Sequence, residues 1–232
     1  ALAEDSKARL YVGTAGGGGG SRFSFLHEPG HAGSGFVLFA EAAEEGLANP
    51  NPGLLNGDFS VSEWELPSFG WKGFGAAGVV NGQAVLGEGE LVFSDYSQTF
   101  VMPEGVNTLR FTLANLALGA NGNAPPDAFE VALLNTLTGE PLRGPPAGLS
   151  GTDAFLSFQA DGRVYFAPGV TVPGVAESGG ILAFTGPLPI TLDLSGVGTI
   201  ATLYFDLIGF GPADSTAVLD DVVLAAAPPE AR

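Results

Sequence analysis

The chain has 232 residues, of which 45% are apolar and 14% charged, so it holds ample material for a core and too little charge for a disordered polyelectrolyte. Eight Lys and Arg against 25 Asp and Glu give a net charge of -17, which opposes phosphate backbones and anionic surfaces and excludes nucleic acid as a partner. The absence of cysteine excludes disulfides, zinc–thiolate sites and thiol nucleophiles, and no apolar run approaches the roughly 18 residues of a membrane helix, so no membrane insertion is expected.

Gly 36 and Pro 17, without the three-residue period of collagen, predict many turns and few long helices. The chain begins Ala1-Leu2-Ala3, as it would after removal of a leader, and with the acidic, Lys-poor composition this sets the expectation of a secreted or cell-surface protein. Residues 1–52 read as an extended arm. Arg9-Leu10-Tyr11-Val12, the alternating Arg22-Phe23-Ser24-Phe25-Leu26 and Gly35-Phe36-Val37-Leu38-Phe39 are strand-like pieces separated by Gly-rich tethers. The run Gly16 to Gly20 is a linker, because no Gly-Lys-Ser/Thr follows it to make a phosphate cradle. His27-Glu28-Pro29-Gly30-His31 matches a zinc-protease pattern in letters only, since Pro29-Gly30 breaks the helix that would align the two imidazoles. Ala40 to Leu47 is a short helix candidate, stopped by Asn49-Pro50-Asn51-Pro52, which forms the hinge to the main domain.

From Gly53 to Ala225 short β-branched and aromatic runs recur between turn residues, the pattern of a two-sheet antiparallel sandwich. Val79 to Leu86 is the clearest hairpin, with Asn81-Gly82 supplying the two positive φ angles of a type I′ turn. Further strands are expected at 90–93, 97–101, 107–116, 128–135, 154–158, 163–167, 181–184, 188–194, 199–208 and 216–224. In Leu109-Arg110-Phe111-Thr112-Leu113 the odd positions face the core and Arg110 and Thr112 face water. Residues 226–232 form a tail.

Several segments carry a family resemblance. Leu54-Leu55-Asn56-Gly57-Asp58-Phe59 looks like a first strand, with Trp71 following it. Asp127-Ala128-Phe129-Glu130-Val131-Ala132-Leu133-Leu134 is similar to a segment of repeated domains in bacterial adhesins, and Phe205 to Gly211 and Val218 to Leu224 look like the last two strands. Together they resemble the galactose-binding-like, carbohydrate-binding-module type of jelly roll found in bacterial surface proteins. Ala225 to Ala231 resembles the stretch that follows such a sandwich in exported bacterial proteins bearing a C-terminal Pro-Glu-Pro sorting signal, although the order here is Pro-Pro-Glu. The resemblance implies a structural calcium joining first and last strands, held at Asn56, Asp58, Asp220 and Asp221; hard oxygens of this kind suit calcium, and the same residues also suit turns and strand edges. Asp127, Glu130 and Asp153 are a second oxygen-rich set.

Trp64, Phe69, Trp71, Phe74 and Tyr96 are candidates either for a platform on which sugar rings stack or for the core. Acidic pairs such as Glu63 and Glu65 or Glu88 and Glu90 arise by chance among 25 acids, so no enzyme activity is expected. The arm separates two functional readings. Its apolar residues Phe23, Phe25, Leu26, Phe36, Val37, Leu38 and Phe39 need a surface to cover, and strand addition to a neighbouring copy would make the chain the subunit of an extracellular bacterial filament or matrix. The alternative is a calcium-stabilised carbohydrate-binding or adhesive module that acts without polymerising, with glycans as its partners.

Overall fold

The computed structural model describes residues 2–4, 9–12, 24–26, 51–89, 91–119, 126–198, 200–209 and 215–226, and no helix occurs among them. The first three strands, β1 (Leu2–Glu4), β2 (Arg9–Val12) and β3 (Ser24–Leu26), pair antiparallel into a small sheet of their own. Phe23, the glycine run, both histidines, Phe36 to Phe39, the expected helix over Ala40 to Leu47 and residues 227–232 lie outside the described residues.

The sandwich strands are β4 (Asn51–Pro52), β5 (Lys72–Phe74), β6 (Ala76–Val80), β7 (Gln83–Gly87), β8 (Phe93–Val101), β9 (Val106–Ala117), β10 (Ala128–Asn135), β11 (Ala154–Gln159), β12 (Arg163–Phe166), β13 (Val170–Thr171), β14 (Gly180–Ile181), β15 (Leu188–Asp193), β16 (Ile200–Ile208) and β17 (Thr216–Ala226). Eight of them form one sheet in the order β14-β12-β11-β10-β16-β8-β4, with β5 also paired to β8. Six form the other, in the order β13-β15-β9-β17-β7-β6. All pairings are antiparallel except that of β4 with β8, so the chain is an all-β, two-sheet jelly-roll sandwich.

Local sequence explains most of these elements. Asn81 and Gly82 have φ of 53° and 75°, the turn that joins β6 to β7 as expected. In β9 Leu109, Phe111 and Leu113 are buried and Arg110 is exposed. The expected strand over 181–184 shrinks to Gly180–Ile181, and the hinge residues Asn51 and Pro52 already pair with β8.

Leu54 to Phe59 is not the strand the resemblance implies. Asn56 and Phe59 take positive φ (49° and 46°), which no regular strand accommodates. The Gln98 side chain replaces the missing ladder: its Oε1 accepts from the Leu55 N–H at 2.6 Å and its Nε2 donates to the Leu55 carbonyl at 3.0 Å. The two ends of the domain do meet, through a backbone bond from the Val222 N–H to the Gly57 carbonyl at 2.8 Å. A Cβ on Gly57 would lie 1.9 Å from the Val222 carbonyl oxygen, a backbone atom with nowhere to go. Gly57→Ala is therefore expected to force this junction apart and cost about 2 kcal/mol, measurable as a lower urea midpoint.

The core between the sheets is aromatic. Phe205 on β16 lies 5.9 Å from Trp71, 5.2 Å from Phe111 on the opposite sheet and 6.5 Å from Phe129 on β10, and Phe59 closes on Trp71 at 5.3 Å.

Candidate functional site

Because Phe205 points into the core, its neighbours Tyr204 and Asp206 point to the outer face of the eight-stranded sheet. Strand register then builds a row across that face. Asp206 lies opposite Asp95 on β8 and Glu130 on β10; Glu130 lies opposite Ser157 on β11, and Asp95 lies opposite Phe74 on β5. The next row holds Lys72, Ser97 and Tyr204, and beyond it Thr99 and Thr202 stand opposite each other.

Hydroxyls fix part of this surface. Glu130 accepts from the Ser157 hydroxyl at 3.1 Å and the Thr152 hydroxyl at 3.0 Å, while Gln159 Nε2 donates to Ser157 Oγ at 2.7 Å. Thr202 Oγ1 is 2.9 Å from that of Thr99 and 2.8 Å from that of Thr136. Burial and like charge, rather than hydroxyl donors, govern the carboxyls of Asp95 and Asp206. Burial pushes the Asp95 carboxyl up to about 7. Asp206 is pushed well above the usual carboxylate range, first by burial and then by the charges of Asp95, Asp153 and Glu130.

An aromatic pair borders the row. Phe74 stacks on Phe93 with centroids 4.9 Å apart and planes tilted by 20°, and Phe74 is 44% exposed, so one ring face is open to a ligand.

The expected platform is thereby corrected. Phe69, Trp71 and Tyr96 are buried in the core, where Tyr96 meets Phe69 and Trp71 edge-on and its hydroxyl is pushed up to about 12 by burial. The Trp71 indole N–H donates to the Asn56 carbonyl at 3.1 Å, which anchors the irregular segment before it. Trp64 is exposed, and of the expected aromatics only Phe74 belongs to the outer-face row.

The residues assigned to calcium have other partners. Asn56 Nδ2 donates to the carbonyls of Val61 and Phe69, and its Oδ1 accepts from the Val61 N–H at 2.9 Å. Asp58 caps Ser60, whose hydrogen bonds hold its carboxyl below the usual range. Asp220 accepts from Gln83 Nε2 and from the Asp221 N–H, and Asp221 itself is exposed with φ of 53° at a bulge in β17. Among the described residues no three acids or histidines are grouped as a metal site. Of the second oxygen-rich set, Glu130 and Asp153 both act on Asp206, whereas buried Asp127 accepts from the Ser215 hydroxyl at 2.5 Å.

Sequence reasoning missed Asp95 and the role of Asp206. A lone acid inside an apolar run, as in Phe205-Asp206-Leu207 and Phe129-Glu130-Val131, was the available signal; the register that aligns the acids was not visible locally.

No protein-family model matches the chain, and no curated protein matches it. A solved structure described as "CBM4 structure and function" is similar to it, with 14% identity, a TM-score of 0.36, and coverage of 73% of this chain and 97% of that chain.

Proposed function

We propose that the chain is a secreted, non-enzymatic glycan-binding module whose ligand lies along the outer face of the eight-stranded sheet. The observation that carries this reading is the row itself: an open ring face at Phe74, then Asp95, Asp206 and Glu130 side by side, with the hydroxyls of Ser97, Tyr204, Thr99 and Thr202 in the rows beside them. Sugars present apolar ring faces for stacking and hydroxyl donors for carboxylate acceptors; Phe74 offers an open ring and Asp206 and Tyr204 are partly exposed, while Asp95, Glu130, Ser97 and Thr202 lie buried beneath them, so the sugar is met at Phe74, Asp206 and Tyr204. The jelly-roll resemblance of residues 53–225 points the same way.

Arm-mediated polymerisation is supported less well, since Phe25 and Leu26 lie in a strand already paired with β2 and no described sandwich strand pairs with the arm's sheet. Phe74→Ala tests the glycan reading. Affinity electrophoresis against a panel of soluble polysaccharides is expected to show retardation of the native protein and a roughly tenfold weaker effect in the variant, with little change in Tm because Phe74 lies outside the core. Absence of retardation by every polysaccharide, or equal retardation of both proteins, would remove the reading.

A further inference from the structure

We propose that Asn81 is a modification site: it loses its side-chain amide spontaneously and becomes isoaspartate at the tip of the β6–β7 hairpin. A second Asn-Gly pair, Asn56-Gly57, is held in a form that resists the same reaction. The inference is independent of the glycan reading.

The chemistry needs only an asparagine followed by glycine. The glycine backbone nitrogen, once a base has taken its proton, attacks the asparagine Cγ. The new C–N bond closes a ring, the Cγ–Nδ2 bond breaks, and the leaving nitrogen picks up a proton and departs as ammonia. Water then opens the succinimide at either carbonyl to give aspartate or isoaspartate. The sum is a gain of water and a loss of ammonia, with no change of oxidation state. A free carboxamide, an accessible glycine nitrogen and a backbone able to turn are therefore what decide the rate.

The two pairs can be compared directly, because both asparagines sit in the left-handed region, with φ of 49° at Asn56 and 53° at Asn81. Tethering separates them. Asn56 is half-buried and its carboxamide is committed on both sides: Nδ2 donates to the carbonyls of Val61 and Phe69 at 2.9 and 3.3 Å, and Oδ1 accepts from the Val61 N–H at 2.9 Å. Gly57 is equally fixed, since its carbonyl accepts from the Val222 N–H at 2.8 Å and the Val222 carbonyl oxygen would lie 1.9 Å from a Cβ there. Closing the ring at this pair means breaking the junction between the two ends of the domain.

Asn81 has none of these restraints. It is exposed, and its side chain makes no hydrogen bond to a described residue. A Cβ on Gly82 would meet nothing within 4 Å, so the turn is open on that side. The strand that enters it, β6, is the end strand of its sheet and pairs only with β7 among the described strands. The type I′ turn must swing the Asn81–Gly82 peptide before the nitrogen meets Cγ, and an unpacked turn on an edge hairpin permits that swing. In isoaspartate the main chain runs through the former side chain, which adds a methylene to the loop between Val80 and Gln83. A two-residue turn has no slack for it, so the pairing of Val80 with Gln83 opens from the tip.

The test is ageing of the full chain at mildly alkaline pH and body temperature, folded and in urea, followed by tryptic cleavage and mass spectrometry. Cleavage after Arg22, Lys72, Arg110 and Arg143 places Asn56, Asn81 and Asn121 in separate peptides, each with a single Asn-Gly pair; Asn121-Gly122 lies outside the described residues. Fragment ions locate the mass gain of an amide turned to acid, and a protein-isoaspartate methyltransferase with a labelled methyl donor counts isoaspartate. In the folded chain residue 81 is expected to convert at least about tenfold faster than residue 56, and urea is expected to bring the two rates together. Equal rates in the folded chain would overturn the inference. So would a folded residue 81 that stays unchanged while the urea-unfolded chain converts, because the turn would then hold Asn81 as firmly as the junction holds Asn56. A difference that survives in urea would overturn it too, by assigning the selectivity to local sequence. Asn81→Asp supplies the charge without the methylene, and the aged, isoaspartate-bearing protein is expected to melt below that variant; equal Tm would overturn the opening of the hairpin.

Discussion

Replacing Phe205 by alanine is expected to lower stability by about 4 kcal/mol, read as a shift in the urea midpoint with the slope of the transition unchanged. Phe205 is fully buried at the centre of the sandwich, on the strand that joins β8 to β10. Its ring touches Trp71, Phe111 from the opposite sheet and Phe129 from its own. Truncation removes the apolar area of the ring and leaves a cavity walled by large rings on strands whose backbones are hydrogen-bonded on both sides, so the surroundings cannot collapse into it. Phe74→Ala, also an aromatic truncation but on a half-exposed ring, is the internal control. A loss below about 1 kcal/mol at Phe205 would show that the two sheets do not close on this ring.

Asp95→Asn is expected to stabilise the protein at pH 8 and to have little effect at pH 4. The sign follows from the folded carboxyl titrating near 7, pushed up by burial, against 3.8 for an ordinary aspartate. The folded state binds the proton more tightly than the unfolded chain between those values. The stability linked to that proton is full below 3.8 and is lost as pH rises through about 7, with a total on the order of 4 kcal/mol. Asp206 is shifted in the same direction and adds to the effect. Asparagine carries no charge to bury, so the variant should lose less stability than the native protein as pH rises, the remaining loss being that of Asp206. Denaturant midpoints of both proteins from pH 4 to 8 check this. Parallel profiles, or a variant weaker than native at pH 8, would show that Asp95 is satisfied in solution.

Much of the architecture was legible because it is written in local patterns. Asn81-Gly82 specifies its hairpin through two positive φ angles, and the alternation of Leu109, Phe111 and Leu113 specifies which face of β9 is buried. The segment Leu54 to Phe59 was misread for a physical reason: its backbone is satisfied by the carboxamide of Gln98, 43 residues away, and a side chain that stands in for a strand leaves no periodic trace. The aromatics were ambiguous for the same reason. Trp71 and Phe74 sit three residues apart in similar glycine-rich surroundings, yet one lies at 5% exposure under Phe205 and the other at 44% beside Asp95.

What the sequence by itself determined was the fold class: composition, the absence of cysteine, turn residues at regular intervals and period-two runs leave a chain of this kind little other than two packed sheets. The carboxylate row was decided only by the tertiary structure. Asp95, Glu130 and Asp206 stand on strands that are neighbours in the sheet but 35 to 111 residues apart in the chain, by subtraction of their numbers, and a slip of one residue in either pairing would turn an acid into the core. The burial of Phe205 and Phe129 fixes that register, and the outward row of acids is its consequence.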